Sequence, residues 1–143
     1  MTLMDLYAEQ ILEHFKNPRN KGGLNDPTVE HKEVNLSCGD VLTLHLKIEG
    51  DTIKELKWSG TGCAISLGAM SMFSEKLAGM TVEEATNLSA KDIEEMLKVP
   101  ISKRREKCAL LCLHALKNAM RKFKGEKEQS WSETIGQGEM KNE

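Results

Sequence analysis

Apolar residues recur every four positions at the start of the chain, at Leu3, Tyr7, Ile11 and Phe15. That spacing predicts an amphipathic helix over Leu3 to Phe15. Asn17-Pro18 ends it, because the residue before a proline is pushed away from the helical region. A polar loop with Gly22-Gly23 and Asp26-Pro27 follows, and Glu30 to Leu36 is read as a short strand. From Val41 the period changes to two. Leu42, Leu44, Leu46 and Ile48 alternate with Thr43, His45 and Lys47, the pattern of a half-buried strand. Glu49-Gly50-Asp51 turns the chain, and Thr52 to Trp58 returns as a second strand to make a hairpin. Ile53 is out of phase with Leu56 and Trp58, which predicts a bulge or a late strand start.

The second half reads as helices. After Gly60-Thr61-Gly62, the small-residue and Met-rich stretch Ala64 to Ala78 predicts a helix ended by Gly79. Thr81 with Glu84 fits a capping box that opens a short helix. Ser89 is placed to cap another helix over Ala90 to Leu97, and Val99-Pro100 breaks the chain. A long helix is expected from about Lys103 to Lys124, stopped by Gly125. The order is helix, antiparallel strands, helices. This predicts an α+β fold, with a small antiparallel β-sheet and helices packed on one face. Residues 1–124 would form the domain. Residues 125–143 are polar and aperiodic despite Trp131 and Ile135, and read as a disordered tail.

Composition narrows the picture further. A chain of 143 residues suggests one domain, and 39% hydrophobic residues suffice for one modest core. Aromatics are only 4%, so Leu, Ile, Val, Met and Ala must fill it; the Met residues at 70, 72, 80 and 120 read as core filler. The net charge of −2 argues against a general nucleic-acid binder, which carries a basic surface. No run approaches the roughly 20 apolar residues of a membrane span. The N-terminus carries Asp5, Glu9 and Glu13 where a secretion signal would be basic and then apolar. The expectation is a cytoplasmic protein with reduced thiols, whose four cysteines serve as ligands, nucleophiles or buried fillers.

Three of those cysteines sit at junctions between predicted elements. Cys38 precedes the strongest strand, Cys63 lies between the Gly-rich turn and the small-residue helix, and Cys108 lies near the start of the last helix. A cysteine at a helix N-terminus feels the positive end of the helix dipole, which favours the thiolate. Cys63 fits this directly. Cys108 is read as about one turn inside its helix, with Arg104, Arg105 and Lys107 adding positive charge. Gly39, Gly60 and Gly62 would let backbone approach a bulky ligand closely. Asp40 follows Cys38 by two residues, so in an extended segment both side chains point to one side. Three thiolates and an exchangeable carboxylate suit a labile metal centre. The competing reading is that the cysteines are small buried hydrophobes.

Other candidates are weaker. Cys112 shares a helix face with Cys108, Leu111 and Ala115; it reads as a core cysteine, or alternatively as an auxiliary thiol. His45 is expected to face solvent, His14 and His31 have no partner in the sequence, and His114, two positions from Cys112, falls on a different helix face. The run Lys103, Arg104, Arg105, Lys107 reads as a solvated helix start, or as a surface for an acidic partner or an anionic cluster.

At these residues the chain resembles the IscU/SufU/NifU-N family of iron–sulfur cluster assembly scaffolds, in order from Met4 to Phe123. The carriers are Leu6-Tyr7, His14 to Asn20, Ser37-Cys38-Gly39-Asp40, Gly60 to Ser66, and Lys107 to Leu111 followed by Ala115-Leu116. The resemblance implies that a cysteine desulfurase delivers persulfide sulfur, that iron and electrons join it, and that a transient [2Fe–2S] cluster forms and passes to apo acceptor proteins. It implies Cys38, Cys63 and Cys108 as thiolate ligands, Asp40 as the residue that keeps the centre labile, and Cys108 as persulfide acceptor. Zn²⁺ would fill the cluster-free site. A monomer or small homo-oligomer is expected. Lys107 stands where the IscU branch has His, and a protonated lysine cannot ligate a metal. Val99 to Lys103 matches that branch's chaperone-binding segment only in part. Lys107 resembles the SufU branch instead, yet the step from Cys63 to Cys108 lacks that branch's insertion. The alternative function is therefore a SufU-like zinc-dependent sulfurtransferase. With no His before Cys108, Asp40 becomes the leading fourth ligand and Cys112 the outside candidate.

Overall fold

The structure is a computed structural model that describes residues 2–136. Helix α1 (Leu3–Lys16) is followed by strands β1 (Val29–Asn35), β2 (Asp40–Glu49) and β3 (Thr52–Thr61). Helices α2 (Ala64–Leu77), α3 (Val82–Thr86), α4 (Ala90–Leu97), α5 (Glu106–Lys124) and α6 (Trp131–Gly136) complete the chain. The strands form an antiparallel meander in the order β1-β2-β3. Leu42, Leu44, Leu46 and Ile48 turn inward from β2, under α5, while α2 packs on β3. Burying a side chain of that size contributes about 1.5–3 kcal/mol.

The out-of-phase Ile53 has the predicted cause. The β2–β3 register shifts between Lys47 and Ile48, so that Lys47 faces Glu55 and Ile48 faces Ile53. Lys54 is the extra residue, and Ile53 and Leu56 both reach the core. The capping boxes also form. Thr81 pairs with Glu84, and Ser89 with Asp92, each closing free N–H groups at a helix start. Positive φ angles at Gly79 (88°) and Gly125 (75°) end the chain's turn out of α2 and α5.

The stripe expected along α1 is only partly buried. Ile11 and His14 face inward, Tyr7 is half-buried and Phe15 is exposed; the side chain of Leu3 lies outside the described residues. The helix is held by polar anchors as well. His14 Nδ1 lies 2.8 Å from Ser71 Oγ, and the Arg19 N–H donates to the same hydroxyl at 2.8 Å. The Trp58 indole N–H donates to the Arg19 carbonyl at 2.8 Å. The Asn-Pro-Arg-Asn turn is thus a bolt between α1, α2 and β3.

The C-terminal segment departs from expectation. Glu126 to Gly136 is not a disordered tail. Trp131 stacks on the His114 ring with centroids 4.0 Å apart, Gln129 and Thr134 are buried, and Ser130 with Glu133 forms a capping box for α6. Residues 137–143 lie outside the described residues.

Gly68 sets the distance between α1 and α2. A Cβ there would sit 2.6 Å from the Ile11 carbonyl oxygen and 2.9 Å from its Cγ2. Gly to Ala in an open helix gains about 1 kcal/mol. Here the sign reverses: Gly68→Ala should cost about 1–3 kcal/mol by overpacking. A urea unfolding midpoint that stays level or rises would contradict this contact.

Candidate metal centre

Three element junctions meet at one end of the sheet. Asn35 ends β1 and pairs with Asp40, which starts β2, so Leu36 to Gly39 form a hairpin loop. Cys38 therefore sits in a turn and not in extended chain. Its convergence with Asp40 comes from the tight reversal, with Cys38 and Gly39 N–H groups both donating to the Asn35 carbonyl at 3.3 and 2.8 Å. Gly39 serves that turn through its φ of 78°, which L side chains adopt at a cost; nothing crowds the position where its Cβ would be.

Asp40 is buried at the head of β2. One carboxylate oxygen accepts the Cys63 N–H at 3.1 Å. The other accepts the Cys38 thiol at 2.7 Å and lies 3.9 Å from Cys63 Sγ. Cys38 Sγ is 3.6 Å from Cys108 Sγ. Donor atoms of Cys38, Asp40 and Cys108 all lie within 4.8 Å of one another. Cys63 stands at the edge of that set and lines the same open pocket of about 910 Å³. Lys103, Arg104, Arg105 and Lys107 form its basic rim.

Gly62 is required by this arrangement. An added Cβ would meet Asp40 Oδ1 at 2.6 Å and Ser66 Oγ at 2.8 Å. The reading of Gly62 as a site of close approach holds, but the approaching group is the carboxylate.

The thiols differ electrostatically. Cys63 is the N-cap residue of α2. Burial raises its pKa, but the N–H and hydroxyl of Ser66 and the N–H of Ile65 outweigh burial and the Asp40 charge, so the thiol is held below its ordinary value. Cys108 lies in the first turn of α5, because a 3-10 turn over Lys103–Arg105 moves the helix start forward. Its pKa nonetheless goes up, first through burial and then through its contacts with Cys38 and Cys63. The helix dipole alone does not decide a thiol's state when neighbouring sulfurs compete.

The two auxiliary candidates part company. Cys112 is fully buried, its Sγ directed at the Ala109 carbonyl at 3.6 Å, and its thiol is pushed up to about 12 by burial. It is a core residue and does not reach the pocket. Lys107 lines the pocket, but its ammonium lies 5.6 Å from the Trp131 ring centroid, a cation–π contact that directs it to α6.

Sequence reasoning missed three positioning residues. Asn35, almost fully buried, donates to Cys38 Sγ at 3.0 Å and accepts the Ser37 N–H at 3.2 Å. Asn three residues before a turn cysteine is a legible turn signal. Ser66 lies 3.5 Å from Cys63 Sγ, at the i+3 spacing of a helix start. Ile135 reaches the pocket from α6, and no local signal connects it there. His45, expected in solvent, accepts the Leu24 N–H at 3.0 Å and pins the loop before β1.

Residues 6–130 match the model of the NifU-like N terminal domain. The chain belongs to that family. It is 35% identical over 137 residues to the zinc-dependent sulfurtransferase SufU of Bacillus subtilis, covering 84% of this chain and 92% of that protein. It is 32% identical over 139 residues to the iron–sulfur cluster assembly scaffold protein IscU of Thermotoga maritima, covering 86% and 98%. A crystal structure from Fervidobacterium islandicum, described as an iron–sulfur cluster assembly scaffold for the SUF system, superimposes with a TM-score of 0.72 at 27% identity, over 83% of this chain and 99% of that one. In this NifU-like domain the α+β meander with helices on one face is the family's fold. Among the described residues no helix is long and apolar enough to cross a membrane.

The unequal thiols can be read out by alkylation. In metal-free protein, Cys63 should react with iodoacetamide in a pH profile displaced below that of an ordinary thiol, because the thiolate is the reacting form. Ser66→Ala should move the profile back up. An unshifted profile, or one insensitive to Ser66→Ala, would contradict the assignment.

Proposed function

We propose that the protein is a scaffold on which an iron–sulfur cluster is assembled and from which it is handed on. The observation that carries this reading is the convergence of Cys38, Asp40 and Cys108 within 4.8 Å, with Cys63 beside them, in a pocket open to solvent. Cys38, Cys63 and Cys108 would hold a [2Fe–2S] cluster as thiolates. Asp40 would be the fourth, harder and more exchangeable ligand. The basic rim offsets the net negative charge of such a cargo.

In this reading Cys108 accepts persulfide sulfur from a cysteine desulfurase. Its thiol must first lose a proton. Cys38 lies between it and the Asp40 carboxylate, at 3.6 Å from one and 2.7 Å from the other, which gives that proton a path. The Cys108 thiolate then bonds to the outer sulfur of the donor, and the donor's own thiolate leaves. Apo acceptor proteins take the finished cluster, and loss of the single carboxylate opens the first coordination position.

A second reading has one observation in its favour. Three thiolates and a carboxylate meet the tetrahedral demand of Zn²⁺, and the relative from B. subtilis is named a zinc-dependent sulfurtransferase. Here one thiolate would leave the ion to accept sulfur.

Anaerobic reconstitution with ferrous iron, cysteine, a desulfurase and a thiol reductant, which supplies the electrons that turn persulfide sulfur into sulfide, separates the two. The scaffold should develop visible sulfur-to-iron bands with equal iron and sulfide. Cys38→Ser, Cys63→Ser or Cys108→Ser should each abolish stable loading, and Asp40→Ala should lengthen the cluster's lifetime. Normal loading of any cysteine variant would remove that residue from the site. A colourless protein that keeps one zinc and still takes sulfur would replace the scaffold reading with the sulfurtransferase.

A further inference from the structure

The thiol pocket sets two of its sulfurs against each other. Cys38 Sγ lies 3.6 Å from Cys108 Sγ, close to the roughly 3–3.5 Å at which reacting atoms stand before a bond forms. The two come from distant parts of the chain, Cys38 from the hairpin loop between β1 and β2 and Cys108 from the first turn of α5. Cys63 is placed differently. It falls outside the group of Cys38, Asp40 and Cys108 whose donor atoms lie within 4.8 Å of one another. Its sulfur lies beside Ser66 Oγ at 3.5 Å.

Cys38 is also equipped to attack. Its S–H donates to Asp40 Oδ2 at 2.7 Å, so the carboxylate is placed to take the proton. The other oxygen of that carboxylate accepts the Cys63 N–H at 3.1 Å, which fixes its direction. The Asn35 amide donates to the Cys38 sulfur at 3.0 Å and stabilises the charge that deprotonation leaves there. Asn35 is almost fully buried, and its Oδ1 accepts the Ser37 N–H at 3.2 Å, so its amino end is the one turned to the sulfur. A nucleophile with a base in hydrogen-bond reach, and a third group orienting the base, is the arrangement of an activated thiol. Metal ligation alone does not call for such a base, because a metal displaces a thiol's proton by its own charge.

We propose that Cys38 is a second reacting thiol, which resolves the persulfide on Cys108 into free sulfide. This rests on the reading of Cys108 as the sulfur acceptor. The Cys38 thiolate attacks Cys108 Sγ, the inner sulfur of the persulfide. A bond forms between Cys38 Sγ and Cys108 Sγ, and the bond from Cys108 Sγ to the outer sulfur breaks. The outer sulfur leaves with the bonding electron pair as HS⁻ into the open pocket, and the proton that Asp40 took from Cys38 returns to it. One persulfide and one thiol thus become one disulfide and one H₂S. The Cys38 sulfur is oxidised and the outer sulfur is reduced, so the step itself needs no outside oxidant or reductant. A thiol reductant then opens the Cys38–Cys108 disulfide and restores both thiols. The step requires Cys38 free of metal, so it belongs to the unloaded pocket. The electrons that make sulfide enter the domain through this pair of thiols.

The test takes a desulfurase preloaded with persulfide and freed of excess cysteine. It is mixed anaerobically with the metal-free full-length protein, without reductant. Each sulfur transferred should appear as one sulfide, with the loss of two thiols. Mass spectrometry of unreduced peptides should find Cys38 joined to Cys108. Cys38→Ser should release no sulfide and should keep the extra sulfur on Cys108. Cys38 is exposed, so the fold of this variant should persist by circular dichroism. A persulfide that stays on Cys108 in the unaltered chain, undiminished sulfide release from Cys38→Ser, or a disulfide to Cys63 in place of Cys38 would overturn the proposal and leave Cys108 as the acceptor. Failure of Cys108 to gain sulfur in Cys38→Ser would instead overturn the acceptor reading, and this proposal with it.

Discussion

The Asp40 carboxylate is buried where β2 begins, β3 has just ended and α2 starts, and it accepts from the chain on both sides. One oxygen takes the Cys63 N–H and the other takes the Cys38 thiol. An ionised carboxylate out of water is tolerated only when hydrogen bonds replace its hydration. The two cysteines therefore do more than surround the acid: they are part of what keeps it in place. Gly62 has no side chain because the carboxylate fills that space. Remove this group and the hairpin loop holding Cys38 loses its tie to the turn holding Cys63. In the metal-free pocket this acid supplies that tie; in a loaded one the sulfur–metal bonds would.

Cys63 and Cys108 are unequal for reasons that lie outside this carboxylate. Cys63 takes help from the N–H groups at the start of α2, while Cys108 is enclosed among sulfurs and apolar neighbours. A pocket with one thiol easily ionised and another strongly protonated binds a cation stepwise. The first thiolate and the carboxylate supply the initial attraction, and the cation's own field then drives the remaining protons off. A site with three thiols ionised in advance would repel itself. The basic rim is the complementary half of this balance, because a filled pocket carries excess negative charge and needs cations near it.

Much of the fold was legible because its signals are local. The alternation in β2, the capping boxes at Thr81 and Ser89, and the phase slip at Ile53 each lie within a few residues. The grouping of Cys38, Asp40, Cys63 and Cys108 was legible through the resemblance, and position at element junctions supported it. The reason given for the Cys38–Asp40 pair was physically wrong: extended chain was assumed where a four-residue reversal stands. The C-terminal segment was misread for a different reason. Ser130 and Glu133 form a capping box that could be read locally, but α6 is a single short helix whose order comes from Trp131 on His114 and Thr134 beneath it. Such long-range packing leaves little periodic trace.

That packing gives the last segment a place in the chemistry of the domain. Ile135 lines the thiol pocket, Trp131 engages the Lys107 ammonium beside Cys108, and the His114 ring under Trp131 faces Glu33 on β1. α6 thus covers one wall of the pocket through Ile135 and holds the Lys107 ammonium at its rim through Trp131. A protonated lysine has no lone pair for a metal, but its charge is directed by what it stacks on. The segment beyond α5 is then the structural element that sets where that charge points.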